Sequence, residues 1–175
     1  MTNHNYEQIS QTRLPAFGRE TESLEPGRTV THFETTIEIQ APPDRIWAAM
    51  RDIERWSEWT PSVIDIRLLD HGPIAVGTRA MVRQPKLLPA IWTITNFEEG
   101  RSFTWITRGP GLRVTARHSI ERAANHSRVM LSLDFSGLLG SVFARLTRDL
   151  NARYLDLEAR GLKEYAESGR PGNQR

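Results

Sequence analysis

The chain has 175 residues, which at roughly 100–200 residues per domain makes one domain large enough for a real core. It carries 23 Lys and Arg against 21 Asp and Glu, a formal net charge of +2 that excludes a broadly polycationic nucleic-acid binder, and its 38% hydrophobic and 25% charged residues exclude a disordered chain. With no cysteine, disulfides, thiolate metal sites, iron–sulfur ligation and cysteine nucleophiles are excluded, which fits a reducing cytosol.

Residues 1–28 are polar and aperiodic, broken by Pro15, Gly18, Pro26 and Gly27, and read as an N-terminal arm that Leu14 and Phe17 would pin. No apolar run of a secretion signal is present there, and nowhere do about 18 apolar residues follow one another, so the expectation is a cytoplasmic protein with no integral membrane association. The domain proper is expected over 29–167. A flexible tail is expected over 168–175, where Gly169, Pro171 and Gly172 follow a helical stretch.

From Thr31 to Gln40 the chain alternates, with Phe33, Thr35, Ile37 and Ile39 on one side, as a half-buried strand does. Pro42 and Pro43 stop it and suit a first helical turn, after which Ile46, Trp47, Met50 and Ile53 recur at helical spacing. A Trp-rich corner, Trp56 to Pro61, precedes a second strand through Ile64, Ile66 and Leu68. A loop with Gly72, Pro73 and Gly77 leads to a third at about 78–84.

Four further strands follow, and their turns test one another, because a side-chain period of two forces neighbouring hairpins to agree on one face. A turn centred on Glu99-Gly100 pairs Phe97 with Ser102, Asn96 with Phe103 and Ile94 with Trp105. One on Pro110-Gly111 pairs Trp105 with Ala116 and Phe103 with His118. One on Ala124-Asn125 pairs Ile120 with Val129, His118 with Leu131, Ala116 with Leu133 and Val114 with Phe135. All three choose the same apolar face. Then Gly137 to Gly140 closes the sheet, and Val142, Phe143, Leu146, Leu150, Tyr154, Leu157 and Leu162 mark a helix of about 25 residues whose apolar partner is that face. The expected fold is α+β: a seven-stranded curved antiparallel sheet wrapped around a long C-terminal helix, with two short helices after the first strand.

Several strings along this order go together: Ala41-Pro42-Pro43-Asp44-Arg45-Ile46-Trp47, Asp52, Trp56 through Trp59-Thr60-Pro61, Val76-Gly77-Thr78 leading into a strand, and Gly161-Leu162-Lys163-Glu164 in the long helix. Together with the first strand they resemble the polyketide cyclase/dehydrase and lipid-transport family, of the START-like (SRPBCC) helix-grip superfamily, over about residues 30–167. The resemblance implies a cavity between sheet and helix that in many relatives holds a lipid, hormone, polyketide or other apolar small molecule. It brings no shared catalytic residue set.

The register places His118 on the inward face among Phe103, Trp105, Ala116 and Leu131, where an imidazole either anchors a ligand, serves as a general base, or is a core histidine satisfied by a carbonyl or water. Trp59, Trp92, Trp105 and Phe103 offer flat apolar walls, joined by Leu131 and Phe135. Extending the register pairs Met81 with Trp92 and turns Arg79 and Arg83 inward, where Arg83 would clamp a carboxylate or phenolate head; the other reading is a solvated arginine. His4, His32, His71 and His126 fall in the arm, on an outward strand position or in loops, so no metal site is expected, and no cofactor. From Arg79 to Arg128 nine basic residues face three acids, which reads as a solvated convex sheet and not as a nucleic-acid surface. The resulting expectation is binding of a small hydrophobic molecule. The alternative is a cyclase, aromatase or dehydratase in which His118 moves a proton and Arg83 steadies an enolate, and third comes a partner-docking module. A homodimer is the usual default for such chains.

Overall fold

Period-two alternation builds most of this molecule. The computed structural model describes residues 19–25, 28–123 and 126–169, with side chains from Val30 onward. In chain order the elements are β1 (Arg19–Glu25), β2 (Arg28–Ile39), α1 (Pro43–Arg51), a short 3-10 helix (Ile53–Glu58), β3 (Asp65–Leu68), β4 (Arg79–Arg83), β5 (Ala90–Glu98), β6 (Ser102–Gly109), β7 (Leu112–Arg122), β8 (Ser127–Ser136), α2 (Gly140–Leu146) and α3 (Arg148–Glu167). The sheet is antiparallel, in the order β1-β2-β8-β7-β6-β5-β4-β3. The expected seven strands are all there, gripping the C-terminal helix in an α+β helix-grip fold. β1, from within the stretch read as an arm, adds an eighth at the β2 edge. Leu14, Phe17, the Ala124-Asn125 turn centre and the tail beyond Gly169 lie outside the described residues.

The β6–β7 and β7–β8 registers are the expected ones: Phe103 faces His118, Trp105 faces Ala116, His118 faces Leu131 and Val114 faces Phe135. Along β7 the alternation buries Val114, Ala116, His118 and Ile120 while Arg117 points out. The β5–β6 hairpin differs at its tip. Ile94 faces Trp105 as expected, but Phe97 faces Phe103 and Asn96 faces Thr104, with a bulge between Ile94 and Asn96. The turn holds three residues where the sequence suggests two, with Gly100 at φ +76°, and the bulge absorbs the slip without turning Trp92 and Ile94 out of the core.

β4 pairs one residue away from the expected register, Ala80 facing Trp92 and Met81 facing Ile91. A one-residue shift exchanges the faces of a strand. Ala80 and Val82 are therefore buried, while Arg79 and Arg83 lie on the outer face. Arg79 meets Asp70 at 2.7 Å and Arg83 meets Asp65 at 3.0 Å. The arginine clamp expected at Arg83 is thus corrected: its guanidinium is spent outside.

The expected single long helix is interrupted at Thr147, whose hydroxyl shares the Phe143 carbonyl, at 2.8 Å, with its own backbone N–H at 3.0 Å, a back-bond that bends helices. Leu138 and Leu139 ahead of α2 and Val142 and Leu146 within it are exposed, and Phe143 is half-buried. α3 then crosses the concave face and packs on β2, β8 and α1. Near its end Gly161 passes against the corner after the 3-10 helix: a Cβ there would stand 2.0 Å from the Trp59 carbonyl oxygen. This contact closes one end of the space between helix and sheet.

Candidate functional site: a cavity between sheet and helix

At the closed end the inner face is filled by aromatic rings. Trp47 and Trp56 reach Phe103 at centroid distances of 6.4 and 6.3 Å, Trp59 packs on Trp56 at 5.3 Å, and Phe103 stacks flat against the His118 ring at 4.5 Å. Away from that plug the sheet and α3 part. A cavity of about 550 Å³ opens between them, within the usual size for small-molecule sites. Its floor is Trp92, Trp105, Ala116, His118, Leu131 and Phe135 from the sheet, and its roof is Thr147 at the break between α2 and α3 with Asn151, Tyr154, Leu155 and Glu158 from α3. Its mouth lies between the β4–β5 loop, the end of β6 and α2, at Lys86, Leu88, Arg108 and Phe143.

Five sequence-predicted residues therefore share this one space: Trp92, Trp105, His118, Leu131 and Phe135. Trp59 and Phe103 do not line it. They lie behind the wall because α1 and the 3-10 helix fill the sheet at that end, and Trp56 takes the wall position instead. Arg83 is outside, as described.

His118 is buried, and its Nε2 lies 2.7 Å from Oε1 of Glu158. Its Nδ1 is enclosed without a hydrogen-bond partner among the described residues. Glu158 was not legible as a site residue from apolar periodicity, yet it follows from helical spacing: Thr147, Asn151, Tyr154, Leu155, Glu158 and Leu162 recur at three- and four-residue steps, one face that mixes polar and apolar side chains. Asn151 donates to Thr147 Oγ1 at 2.9 Å, and the Trp56 indole donates to the Met50 carbonyl at 3.1 Å, so both donors are used internally. Tyr154 donates its hydroxyl to the Pro85 carbonyl and ties α3 to the loop at the mouth. Burial pushes that hydroxyl above its ordinary value of 10, against the opposing pull of Arg153. Among the described residues no group of three or more His, Asp or Glu side chains is arranged to hold a metal ion.

A helix-grip sheet, a central cavity and a C-terminal helix over it are the frame in which the family comparison falls. The family model described as polyketide cyclase / dehydrase and lipid transport matches residues 30–167. The chain belongs to this family. Comparison with curated protein sequences gave no match. Solved structures share the fold of this family member at low identity. Ara h 8.0201 is 17% identical with a TM-score of 0.62, over 80% of this chain and 99% of that one. The hypothetical protein jhp0584 from Helicobacter pylori is 14% identical with a TM-score of 0.66, over 95% and 99%. The di-domain ARO/CYC BexL from the BE-7585A biosynthetic pathway is 17% identical with a TM-score of 0.61, over 81% of this chain and 51% of that chain. Among the described residues of the family member, no helix is long and apolar enough to cross a membrane.

Proposed function

We propose that the protein binds a small, largely apolar molecule in the cavity between the sheet and α3. The observation that carries this reading is the cavity itself: about 550 Å³ of space walled by Trp92, Trp105, Leu131 and Phe135, with the His118–Glu158 pair in its lining. A folded protein of this size does not leave such a hollow in a core that packs to near-crystalline density unless something fills it, since a void forfeits the contacts of every group around it. The wall indoles of Trp56, Trp92 and Trp105 give flat, rigid surface for a ring system or an acyl chain. The exposed Leu88 at the mouth offers an apolar approach. Family membership, in a group whose description includes lipid transport, supports the same reading.

A second reading is favoured by the His118–Glu158 pair. An imidazole held by a carboxylate is the arrangement of an oriented general base, and in a cyclase or dehydratase it would take a proton from a polyketide-like substrate lying in the cavity. BexL, described as an ARO/CYC, shares the fold. Binding is preferred because Nδ1, the free nitrogen of the ring, is enclosed by protein and has no path to a substrate atom.

Native mass spectrometry of freshly purified protein tests the binding reading. The expected result is a population carrying one small molecule that is lost on unfolding. Protein that is always empty, and that takes up none of a panel of fatty alcohols, sterols and aromatic polyketides, overturns it.

A further inference from the structure

The cavity's two ends differ chemically. The mouth carries the cations Lys86 and Arg108, whereas the inner wall carries an acceptor. Among the described residues His118 makes one hydrogen bond, from Nε2 to Glu158, and Nδ1 has none. A buried N–H without a partner costs more than a bare ring nitrogen, so the network assigns the ring hydrogen to Nε2 and makes Glu158 Oε1 its acceptor. Oε2 of Glu158 has no hydrogen bond to any described residue, and it is not enclosed as His118 Nδ1 is. Glu158 lines the cavity with its side chain 13% exposed, against 6% for His118. The group presented to a ligand is therefore a carboxylate oxygen, with the imidazole behind it as a positioning residue. Phe103, stacked on the ring at an interplanar angle of 10°, fixes the imidazole in turn.

We propose that this oxygen makes the inner wall a site for a hydrogen-bond-donating head, a phenolic or aliphatic hydroxyl on an otherwise apolar ligand, and that it rejects carboxylate heads. The proposal rests on the cavity being a ligand site and specifies which ligands it takes. A hydroxyl donates to Oε2 and completes the carboxylate's hydrogen bonding. A carboxylate brought to the same place has no hydrogen to give and sets like charges together out of water, which costs far more than a missing hydrogen bond. Arg83 faces away from the cavity, and the cations in its lining, Lys86 and Arg108, stand at the mouth and not at this wall.

The test compares naphthalene, 1-naphthol and 1-naphthoate as ligands of the full chain at pH 7 by isothermal titration calorimetry, where the phenol is neutral and the acid ionised. A hydrogen bond to a charged acceptor changes affinity by about ten- to a hundredfold, so 1-naphthol is expected to bind at least about tenfold more tightly than 1-naphthoate. Glu158→Gln keeps an oxygen for the His118 N–H and turns an amide N–H into the cavity, so it is expected to gain affinity for 1-naphthoate and to lose most of the preference. His118→Leu, which frees the carboxylate to swing, is expected to reduce the preference without reversing it. Equal binding of 1-naphthol and 1-naphthoate by the unaltered protein overturns the proposal while leaving the cavity a ligand site, and needs no variant to fold. A preference unchanged in folded Glu158→Gln overturns it as well. Failure of all three compounds to bind, naphthalene included, overturns the ligand-binding reading and the proposal together.

Discussion

Gly161 of α3 rests against the Trp59 carbonyl so closely that even a methyl group on its α-carbon would lie 2.0 Å from that oxygen. The helix can press onto the corner after the 3-10 helix because position 161 has no side chain. In an open helix Ala in place of Gly gains about 1 kcal/mol, but at 161 it must lift α3 or push the 59–60 backbone, and overpacking costs about 1–3 kcal/mol. Gly161→Ala is expected to lower unfolding free energy by about 2 kcal/mol in urea titrations. A variant more stable than the parent would show that this contact is not a constraint.

The His118–Glu158 pair predicts a particular non-additivity. Removing one partner of a buried hydrogen bond to a carboxylate leaves the other without compensation and costs about 1–3 kcal/mol, more where the orphan is charged, whereas replacing both by apolar groups is often neutral. With side chains 6% and 13% exposed, His118→Leu and Glu158→Leu are each expected to destabilise by about 3 kcal/mol, and the double variant by less than either. Costs that simply add would mean the 2.7 Å contact carries no coupling.

Tyr154 links α3 to the Pro85 carbonyl, and Tyr154→Phe is expected to cost about 1 kcal/mol, the usual net worth of one hydrogen bond. The pH dependence has a definite sign. Burial raises the hydroxyl above its ordinary value of 10, so the folded state holds the proton more tightly than the unfolded chain. Its contribution is complete below pH 10 and is lost as pH rises through the folded value. The parent is therefore expected to lose stability above pH 10 more steeply than Tyr154→Phe. Parallel pH curves for the two proteins would contradict the link.

At the acid end the informative group is Glu167, near the C-terminus of α3. Burial acts to raise it, but the Lys163 ammonium at 2.5 Å and the Gln40 backbone N–H at 2.7 Å outweigh that and hold it below its ordinary 4.5. Its stabilisation is thus present above about pH 4.5 and lost as pH falls through the lower folded value. Glu167→Gln is expected to be less stable than the parent at pH 7, by about 0.5–1 kcal/mol, with the difference shrinking as pH falls below 4.5. A difference that grows on acidification would reverse the sign of this account.

What the sequence made legible, and what it hid, follows from what each pattern measures. Alternation reads faces, so where two turns agreed, at Pro110-Gly111 and in the β7–β8 hairpin, the pairing of His118 with Phe103 and Leu131 was recoverable residue by residue. Alternation does not read bulges or loop lengths. The slip between Ile94 and Asn96 and the single-residue shift of β4 therefore went unseen, and the second of these turned Arg83 to the wrong face. Apolar periodicity also has a blind side. It marks positions that face oil, and so passes over Thr147, Asn151 and Glu158, polar residues that occupy the same helix face because that face borders a cavity. Trp59 and Phe103 were rightly read as inward, but inward is not the same as cavity-lining when two short helices fill the space in between.

The central claim is that the space beneath α3 receives a small apolar molecule, and filling that space tests it most directly. Ala116 is on the cavity floor beside Trp105, so Ala116→Phe places a ring where the ligand would lie. Titration of the neutral fluorescent probe N-phenyl-1-naphthylamine, read by probe emission and by quenching of the wall indoles, is expected to saturate at one probe per chain in the parent. In folded Ala116→Phe, affinity is expected to fall by about tenfold or more, since a ring-sized loss of buried area removes well over 1.4 kcal/mol. Probe binding that does not saturate in the parent, or that is equally tight in the filled variant, would contradict the account.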